Sequence, residues 1–233
     1  MQGKFIVFEG GEGSGKTTQI QRLHQWLTAW MTTDEAIELL GTKDKIKGIK
    51  ITREPGGTAL GLKIRQLLLS RTEPSEAPIV SRAELLLYAA DRAQHVEEIL
   101  KPRLNEGYWV LCDRYTDSTV AYQGYGRQLD LDLIHQLNQI ATSQLKSDLT
   151  LWLNVSPETG LARMQQRGQA DRMELAGDGF HHRVGAGFAA LADGGKDHLL
   201  SSGPTVEIRG DRPIETVAAD IQRVIRQRIT QWY

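Results

Sequence analysis

Cysteine is nearly absent: Cys112 stands alone, inside the apolar run Tyr108-Trp109-Val110-Leu111-Cys112. No disulfide can form within the chain, a usage that suits a reducing cytoplasm, and a lone thiol in such a run reads as packing rather than as a nucleophile. Long hydrophobic runs are missing too. No stretch approaches the roughly 18 apolar residues of a membrane span, and the N-terminus enters a strand pattern without an apolar secretory segment. A soluble cytoplasmic protein with no membrane partner is expected. An excess of one charge is also absent, because 28 basic and 29 acidic residues leave a net charge of -1. That balance argues against a dedicated nucleic-acid binder, although local arginine groups leave room for positive fields. His181 and His182 have no cysteine or histidine partner at metal-ligand spacing and read as surface residues.

Gly10-Gly11-Glu12-Gly13-Ser14-Gly15-Lys16-Thr17 carries the strongest signal that is present. It follows the strand-like run Lys4-Phe5-Ile6-Val7-Phe8 and precedes Thr17 to Trp30, where Ile20, Leu23, Leu27 and Trp30 repeat at helical spacing. This is a phosphate-binding loop in its required setting of strand, glycine-rich turn and helix. The glycines let several backbone N–H groups face one anion, and the helix start adds its positive dipole end. Lys16 can reach terminal phosphates, and the Thr17 hydroxyl can ligate magnesium. A nucleoside triphosphate is the expected ligand.

The remaining chain alternates strand and helix patterns. Ile49-Lys50-Ile51-Thr52 reads as a strand ended by Arg53-Glu54-Pro55-Gly56-Gly57, and Leu60, Ile64, Leu67 and Leu68 form one face of the next helix. Ser81 and Glu84 have capping-box spacing at the start of a long helix reaching about Asn105. Tyr108 to Cys112 is a buried-type strand running into Asp113, a position from which an acidic residue can hold magnesium. Leu131, Ile134, Leu137 and Ile140 make another helix face, and Asp148 to Leu153 a further strand. Ser156-Pro157 looks like a helix start. Gly168 to Gly179 has the composition of a mobile loop, Phe180 to Leu200 is partly helical, Thr205 to Ile208 is a last strand, and Ile214 to Ile229 a closing helix. The segment Thr32 to Lys50 reads as a surface connection, helical in part from Asp34 to Leu40. Five strands alternating with helices predict a single α/β domain over residues 1–233, a parallel sheet covered on both faces. Ligands then bind beyond the carboxyl ends of the strands, where the glycine loop, Arg53 and Asp113-Arg114 should share a cleft.

Three chemistries compete for that cleft. A GTPase switch needs Asn-Lys-x-Asp and Asp-x-x-Gly; neither occurs, and Thr42-Lys43-Asp44-Lys45 lacks the final aspartate. A mechanical or DNA-acting ATPase would normally be longer or more basic. A small phosphotransferase needs a second anion site built from arginines, and Arg53, Arg92 and Arg114, with Arg163, Arg167 and Arg172 further on, supply it.

Four blocks carry a resemblance. Phe8-Glu9-Gly10 through Lys16-Thr17-Thr18 is similar to the phosphate loop of thymidylate kinases. So are Thr52-Arg53-Glu54-Pro55-Gly56-Gly57-Thr58, Leu86-Leu87-Tyr88-Ala89-Ala90-Asp91-Arg92-Ala93-Gln94-His95, and Asp113-Arg114-Tyr115 through Ala121-Tyr122-Gln123-Gly124. The chain resembles the bacterial form, over residues 3–174. The resemblance implies a P-loop kinase fold with a lid near 163–183, and transfer of the ATP γ-phosphoryl group to dTMP with magnesium. It implies that Gly10, Gly11, Glu12, Gly13, Ser14, Gly15, Lys16, Thr17 and Thr18 hold ATP, and that Thr17 and Asp113 serve the metal. Tyr88 would stack on thymine and Arg92 would bond its edge, with Thr119 and Gln123 lining that pocket. Tyr122 would crowd the 2′ position, Arg53 and Arg114 would hold the acceptor phosphate, and Glu12 would reach the 3′-hydroxyl. Glu12, Lys16 and Arg114 stand among the catalytic residues. A homodimer is implied as well, packed through the long helix around Leu85.

The variable loop positions Gly11, Glu12, Gly13 and Ser14 contain no arginine. The lid must therefore bring the positive charge, with Arg172 and Arg167 preferred over Arg163. Blander readings sit beside the sharp ones. Arg92 could pair with Asp91 or Glu84 on an exposed face, Tyr88 could be core, and Asp113 could be a loop residue. A kinase for another nucleoside monophosphate or for a deoxynucleoside, and a P-loop module without turnover, remain open.

Overall fold

The computed structural model describes residues 3–41, 46–70, 77–166, 168, 171–193 and 200–233. Five parallel strands form one sheet in the order β2-β3-β1-β4-β5: β1 (Phe5–Glu9), β2 (Gly48–Arg53), β3 (Tyr108–Asp113), β4 (Leu149–Asn154) and β5 (Thr205–Arg209). Every residue of β1 is buried. Its alternate side chains enter different layers, as the period of two requires. Ile6 and Phe8 pack with Ile20, Leu23 and Leu27 of α1 (Lys16–Trp30) and with Ile221, Ile225 and Ile229 of α10 (Ile214–Trp232). Phe5 and Val7 pack on the other face with Val96, Leu100 and Leu104. The chain leaves β1 toward β2 on one side and leaves β3 toward β4 on the other. A crevice therefore opens beyond the carboxyl ends of β1 and β3.

The long helix is α4 (Ser81–His95), continued by a π-helical turn at Val96–Leu100 and by α5 (Lys101–Asn105). Several sequence expectations change here. Val80, not Ser81, is the N-cap, and no side chain caps the helix. Glu84 instead points inward, because Gln123, Arg127 and Arg172 supply its carboxylate with charge and donors. Leu85 is buried in its own chain, while Leu86 of the same helix is 50% exposed. On α3 (Ala59–Leu69) only Ile64 and Leu68 of the expected apolar face are buried; Leu60 and Leu67 are exposed. Ile140 on α7 (Leu131–Thr142) is likewise exposed.

The link before β2 contains α2 (Asp34–Leu40), capped by the Thr33 hydroxyl and ended by Gly41 at φ 75°. It is more than a surface connection, since Ala36 and Leu40 join the core. After β3 the chain winds through α6 (Thr116–Thr119) and a π-helical stretch at Val120–Gly126. Beyond β4 come α8 (Pro157–Gln165), with Ser156 capping the Thr159 N–H, and α9 (Asp178–Ala192). Between them Asp171 accepts from the N–H groups of Met173 and Glu174, closing a turn that buries Met173. The expected loop is thus a structured turn over its residues 171–176. In α9, Phe180, Val184, Phe188 and Leu191 form a buried stripe that includes His181, 6% exposed; His182 alone of the two histidines lies at the surface.

Candidate active site

Gly10, Gly13 and Gly15 take φ of 141°, 67° and 90°, values that curl the loop between β1 and α1 around a concavity. Lys16 Nζ lies in that concavity, donating to the carbonyls of Gly10 and Gly11, each at 3.0 Å, and to Ser14 Oγ at 3.2 Å. Burial, with Arg114 nearby, brings its ammonium down to about 8. A cation held this way is poised for an arriving phosphate. The loop packs against α8 through bare backbone: a Cβ on Gly13 would stand 2.2 Å from the Gly160 carbonyl oxygen.

Thr17 Oγ1 lies 3.4 Å from Asp113 Oδ2 at the end of β3, and Asp113 Oδ1 is buried with no protein partner among the described residues. A hydroxyl and a carboxylate with an orphaned oxygen are hard donors of the kind magnesium takes. No group of three or more His, Cys, Asp and Glu side chains converges among the described residues. The pair therefore suits an ion that takes its other ligands from phosphates and water.

Two cavities meet at this point. A cleft of about 600 Å³ runs along the glycine loop and reaches Arg53, Asp113, Arg163 and Arg212. A smaller cavity of about 80 Å³ is lined by Tyr88, Arg92, Thr119, Tyr122 and Gln123. Glu12 and Arg114 line both. Arg114, at φ 72°, donates to the Gly10 carbonyl at 2.9 Å, to Glu12 Oε1 at 2.6 Å and to Tyr122 OH at 3.1 Å. Tyr122 OH donates to the same Glu12 oxygen at 2.7 Å. Burial opposes charge on Glu12, but Arg114, Lys16 and the Tyr122 hydroxyl outweigh it and bring the carboxyl down to about 2.

Tyr88 is half-buried, on the cavity wall rather than in the core. Arg92 is not on an exposed face. It is 2% exposed and donates to Glu54 Oε2 at 2.8 Å, Thr119 Oγ1 at 2.9 Å, Asn138 Oδ1 at 2.8 Å and the Tyr115 carbonyl at 2.9 Å. Only one guanidinium N–H is left for a ligand. Gln123 Nε2 donates to Glu84 Oε1 at 2.8 Å, so it enters the cavity already oriented.

The lid arginines divide. Arg163 lines the large cleft, donating to the Gly210 carbonyl at 3.1 Å and the Gly13 carbonyl at 3.4 Å. Arg172 turns away, donating to the Leu68 carbonyl at 2.8 Å and lying 2.6 Å from Glu84 Oε2. Arg167 lies outside the described residues.

Sequence reasoning passed over Arg65, which lines both cavities and donates to the Pro55 carbonyl at 3.0 Å. Burial and the neighbouring Arg53 lower its pKa, as crowding of cations demands. The signal was available: an arginine on the helix that follows the Pro-Gly-Gly turn, one turn after Gly61 and flanking the apolar stripe of Ile64 and Leu68.

Comparison with known proteins decides the family. The family model described as thymidylate kinase matches residues 8–221. The chain belongs to the thymidylate kinase family. It is 50% identical to a thymidylate kinase of Acaryochloris marina, with 100% of each chain covered. It is 52% identical to one of Cyanothece, covering 100% of this chain and 97% of the relative. Among solved structures it is similar to thymidylate kinase from Ehrlichia chaffeensis, at 30% identity and a TM-score of 0.67, covering 97% of this chain and 100% of that one. The similarity to thymidylate kinases of the bacterial type thus extends over the full length of the sequence and over the P-loop fold.

Proposed function

We propose that this chain is a dTMP kinase that transfers the γ-phosphoryl group of ATP to dTMP, giving ADP and dTDP. One observation carries the reading: two adjoining cavities, one beneath the glycine loop and one walled by Tyr88, Thr119 and Gln123, meet at Glu12 and Arg114. A donor phosphate chain in the first and a nucleotide in the second would bring their phosphates together at Arg114.

In this reading the loop from Gly10 to Thr18 cradles the ATP phosphates and Lys16 follows the transferred group. Phosphoryl transfer is mostly positioning and neutralisation of spreading charge. Arg114 and Arg53, helped by Arg65, hold the acceptor phosphate. Glu12, kept ionised and fixed by Arg114 and Tyr122, takes the 3′-hydroxyl. Tyr122 also crowds the 2′ position, which favours deoxyribose. Tyr88 stacks on thymine, and Arg92, Thr119 and Gln123 bond its edge. Thr17 and Asp113 would hold magnesium, which supplies charge neutralisation at the transferring phosphates. Arg163, Arg167 and Arg172 belong to a lid over residues 163–183 of a single kinase domain, and closing it would exclude water.

A homodimer is part of the same proposal. Leu60, Leu62 and Leu67 on α3, Val80 and Leu86 at α4, and Ile140 on α7 are exposed apolar residues, and α4 packs between the other two helices. Exposed apolar side chains on neighbouring helices are what an interface between copies covers. Leu86→Glu is expected to yield a monomer by light scattering; an unchanged dimer would move the interface elsewhere. A cytoplasmic location is proposed from the single buried thiol. No helix among the described residues is long and apolar enough to cross a membrane.

The test is an ADP-coupled assay with ATP and magnesium, offering dTMP, dUMP, dCMP, dGMP and thymidine separately. Turnover on dTMP with weaker use of dUMP is expected. Turnover on thymidine instead would mean that Arg53 and Arg114 do not receive an acceptor phosphate, and no turnover at all would leave a nucleotide-binding module.

A further inference from the structure

The side chain of Arg53 makes no hydrogen bond or ion pair to any described residue, yet it lines the large cleft beside Arg65 and Arg114. Its direction therefore depends on its backbone. That backbone is the end of β2, paired with β3 from Gly48 through Arg53 and extended by the Glu54 N–H donating to the Asp113 carbonyl at 2.9 Å. Side chains alternate along such a strand. Thr52 and Glu54 consequently turn toward His95 of α4 and Arg53 turns the other way, although Glu54, at the strand's end, also reaches the wall of the cleft.

A single ring ties down both neighbours of Arg53. His95 Nε2 lies 2.7 Å from Thr52 Oγ1, and His95 Nδ1 lies 2.8 Å from Glu54 Oε1. His95 has no exposure and Glu54 has 3%. The imidazole also fits flush against the turn that follows: a Cβ on Gly57 would stand 2.5 Å from His95 Cδ2. A buried side chain bonded at both ring nitrogens, to residues immediately before and after an unsupported arginine, is a built device. Fixing both neighbours fixes the direction in which Arg53 leaves the strand.

We propose that His95 is a positioning residue for the acceptor phosphate, acting through Arg53. The proposal rests on the dTMP kinase reading above and adds to it how the phosphate-holding arginine is aimed. His95 touches neither cavity itself. A second route leads from His95 through Glu54 to Arg92 and hence to the base pocket, and the test must separate the two.

Binding of dTMP and of thymidine is measured by calorimetry, alongside steady-state kinetics, for the parent protein, His95→Ala, His95→Gln, Arg53→Ala and the double variant. Loss of the paired hydrogen bonds in His95→Ala is expected to weaken dTMP about 10-fold while thymidine, which lacks the phosphate, changes by less than about twofold. KM for ATP stays within about twofold, and His95→Gln, which keeps one bond, falls between. In the Arg53→Ala background His95→Ala adds less than about twofold, since the interaction it supports is gone. Parallel loss of thymidine binding would overturn the proposal in favour of the Arg92 route, as would losses that multiply in the double variant. Should His95→Ala not fold, His95→Gln carries the same comparison. Failure of the parent to phosphorylate dTMP would sink the kinase reading, whereas failure of the dTMP-against-thymidine contrast would sink only this one.

Discussion

Arg114 Nη2 and Glu12 Oε1 stand 2.6 Å apart and join the phosphate loop to the end of β3. The pair is partly buried, and the Tyr122 hydroxyl completes it on the same oxygen. Breaking one partner of such a pair strands the other, which costs more than the pair contributes. Glu12 drops from an ordinary 4.5 to about 2, with burial opposing and Arg114 and Lys16 prevailing. A depressed carboxyl contributes stability that is present above its unfolded pKa and lost as pH falls through the folded one. Glu12→Gln is therefore expected to lower Tm at pH 7 and to flatten the acid limb between about pH 4.5 and 2, and to reduce kcat by about 10–100-fold if the carboxylate takes the 3′-hydroxyl. An unchanged acid limb would remove Glu12 from the list of linked groups.

The lid arginines can be ranked from their contacts. Arg163 already lies along the cleft, bonded to the carbonyls of Gly13 and Gly210, two residues of its lining. Arg172 is held by Glu84 and the end of α3. Arg163→Ala is expected to lower kcat by about 100-fold with little change in stability, and Arg172→Ala to act mainly on Tm. A kcat loss for Arg172→Ala on the order of 10³ would instead show that it leaves Glu84 and reaches the transition state during turnover.

Asp91 offers a titration of opposite sign. Its Oδ1 accepts from the Gly56 N–H at 3.0 Å, while Oδ2 is buried without a partner. Burial first, and then the negative Glu54, push its carboxyl from 3.8 up to about 6. The folded state thus holds more protons than the unfolded chain between those values, so stability falls as pH rises across that window. Asp91→Asn keeps an acceptor for Gly56 and removes the charge. It is expected to flatten Tm between pH 4 and 6 and to raise it at pH 7 by about 3 °C. A lower Tm at pH 7 would mean that the ionised carboxylate is satisfied by a partner in solution.

Periodicity and the glycine loop made the sheet, its parallel order and the cleft readable, because each rests on local pattern. The strand β1 is legible because five consecutive buried residues precede the turn that needs glycine. Membership of one face was harder. Leu60, Leu67 and Ile140 satisfy helical spacing but are exposed, since spacing alone cannot tell which side of a helix meets a neighbour. Glu84 fits a capping box as a string, and its fate depends on Arg127 and Arg172, far away in sequence. Arg92 was recognisable as important, but its four internal bonds come from segments that meet only in the fold. His181 gave no sign of burial, because Gly11, Glu12 and Trp152, which line one small cavity with it, come from other elements.

Gly160 had no motif to mark it, yet it touches the phosphate loop more closely than any side chain could. A Cβ there would stand 2.3 Å from the Glu12 carbonyl oxygen, and the reciprocal position on Gly13 would meet the Gly160 backbone. Neither obstacle is a flexible side-chain end that can swing aside, so one backbone must move. Gly160 lies within α8, where alanine is the better helix former by about 1 kcal/mol. Propensity alone therefore says that Gly160→Ala should stabilise the protein. Steric exclusion says the reverse: the loop between Glu12 and Gly13 is displaced and the N–H groups that cradle phosphate lose their convergence. Overpacking of this kind costs about 1–3 kcal/mol, which outweighs the propensity gain at most of that range. KM for ATP is expected to rise about 10-fold or more. Unchanged ATP kinetics with a higher Tm would show that α8 shifts freely, and that the contact with the glycine loop does not fix the loop's shape.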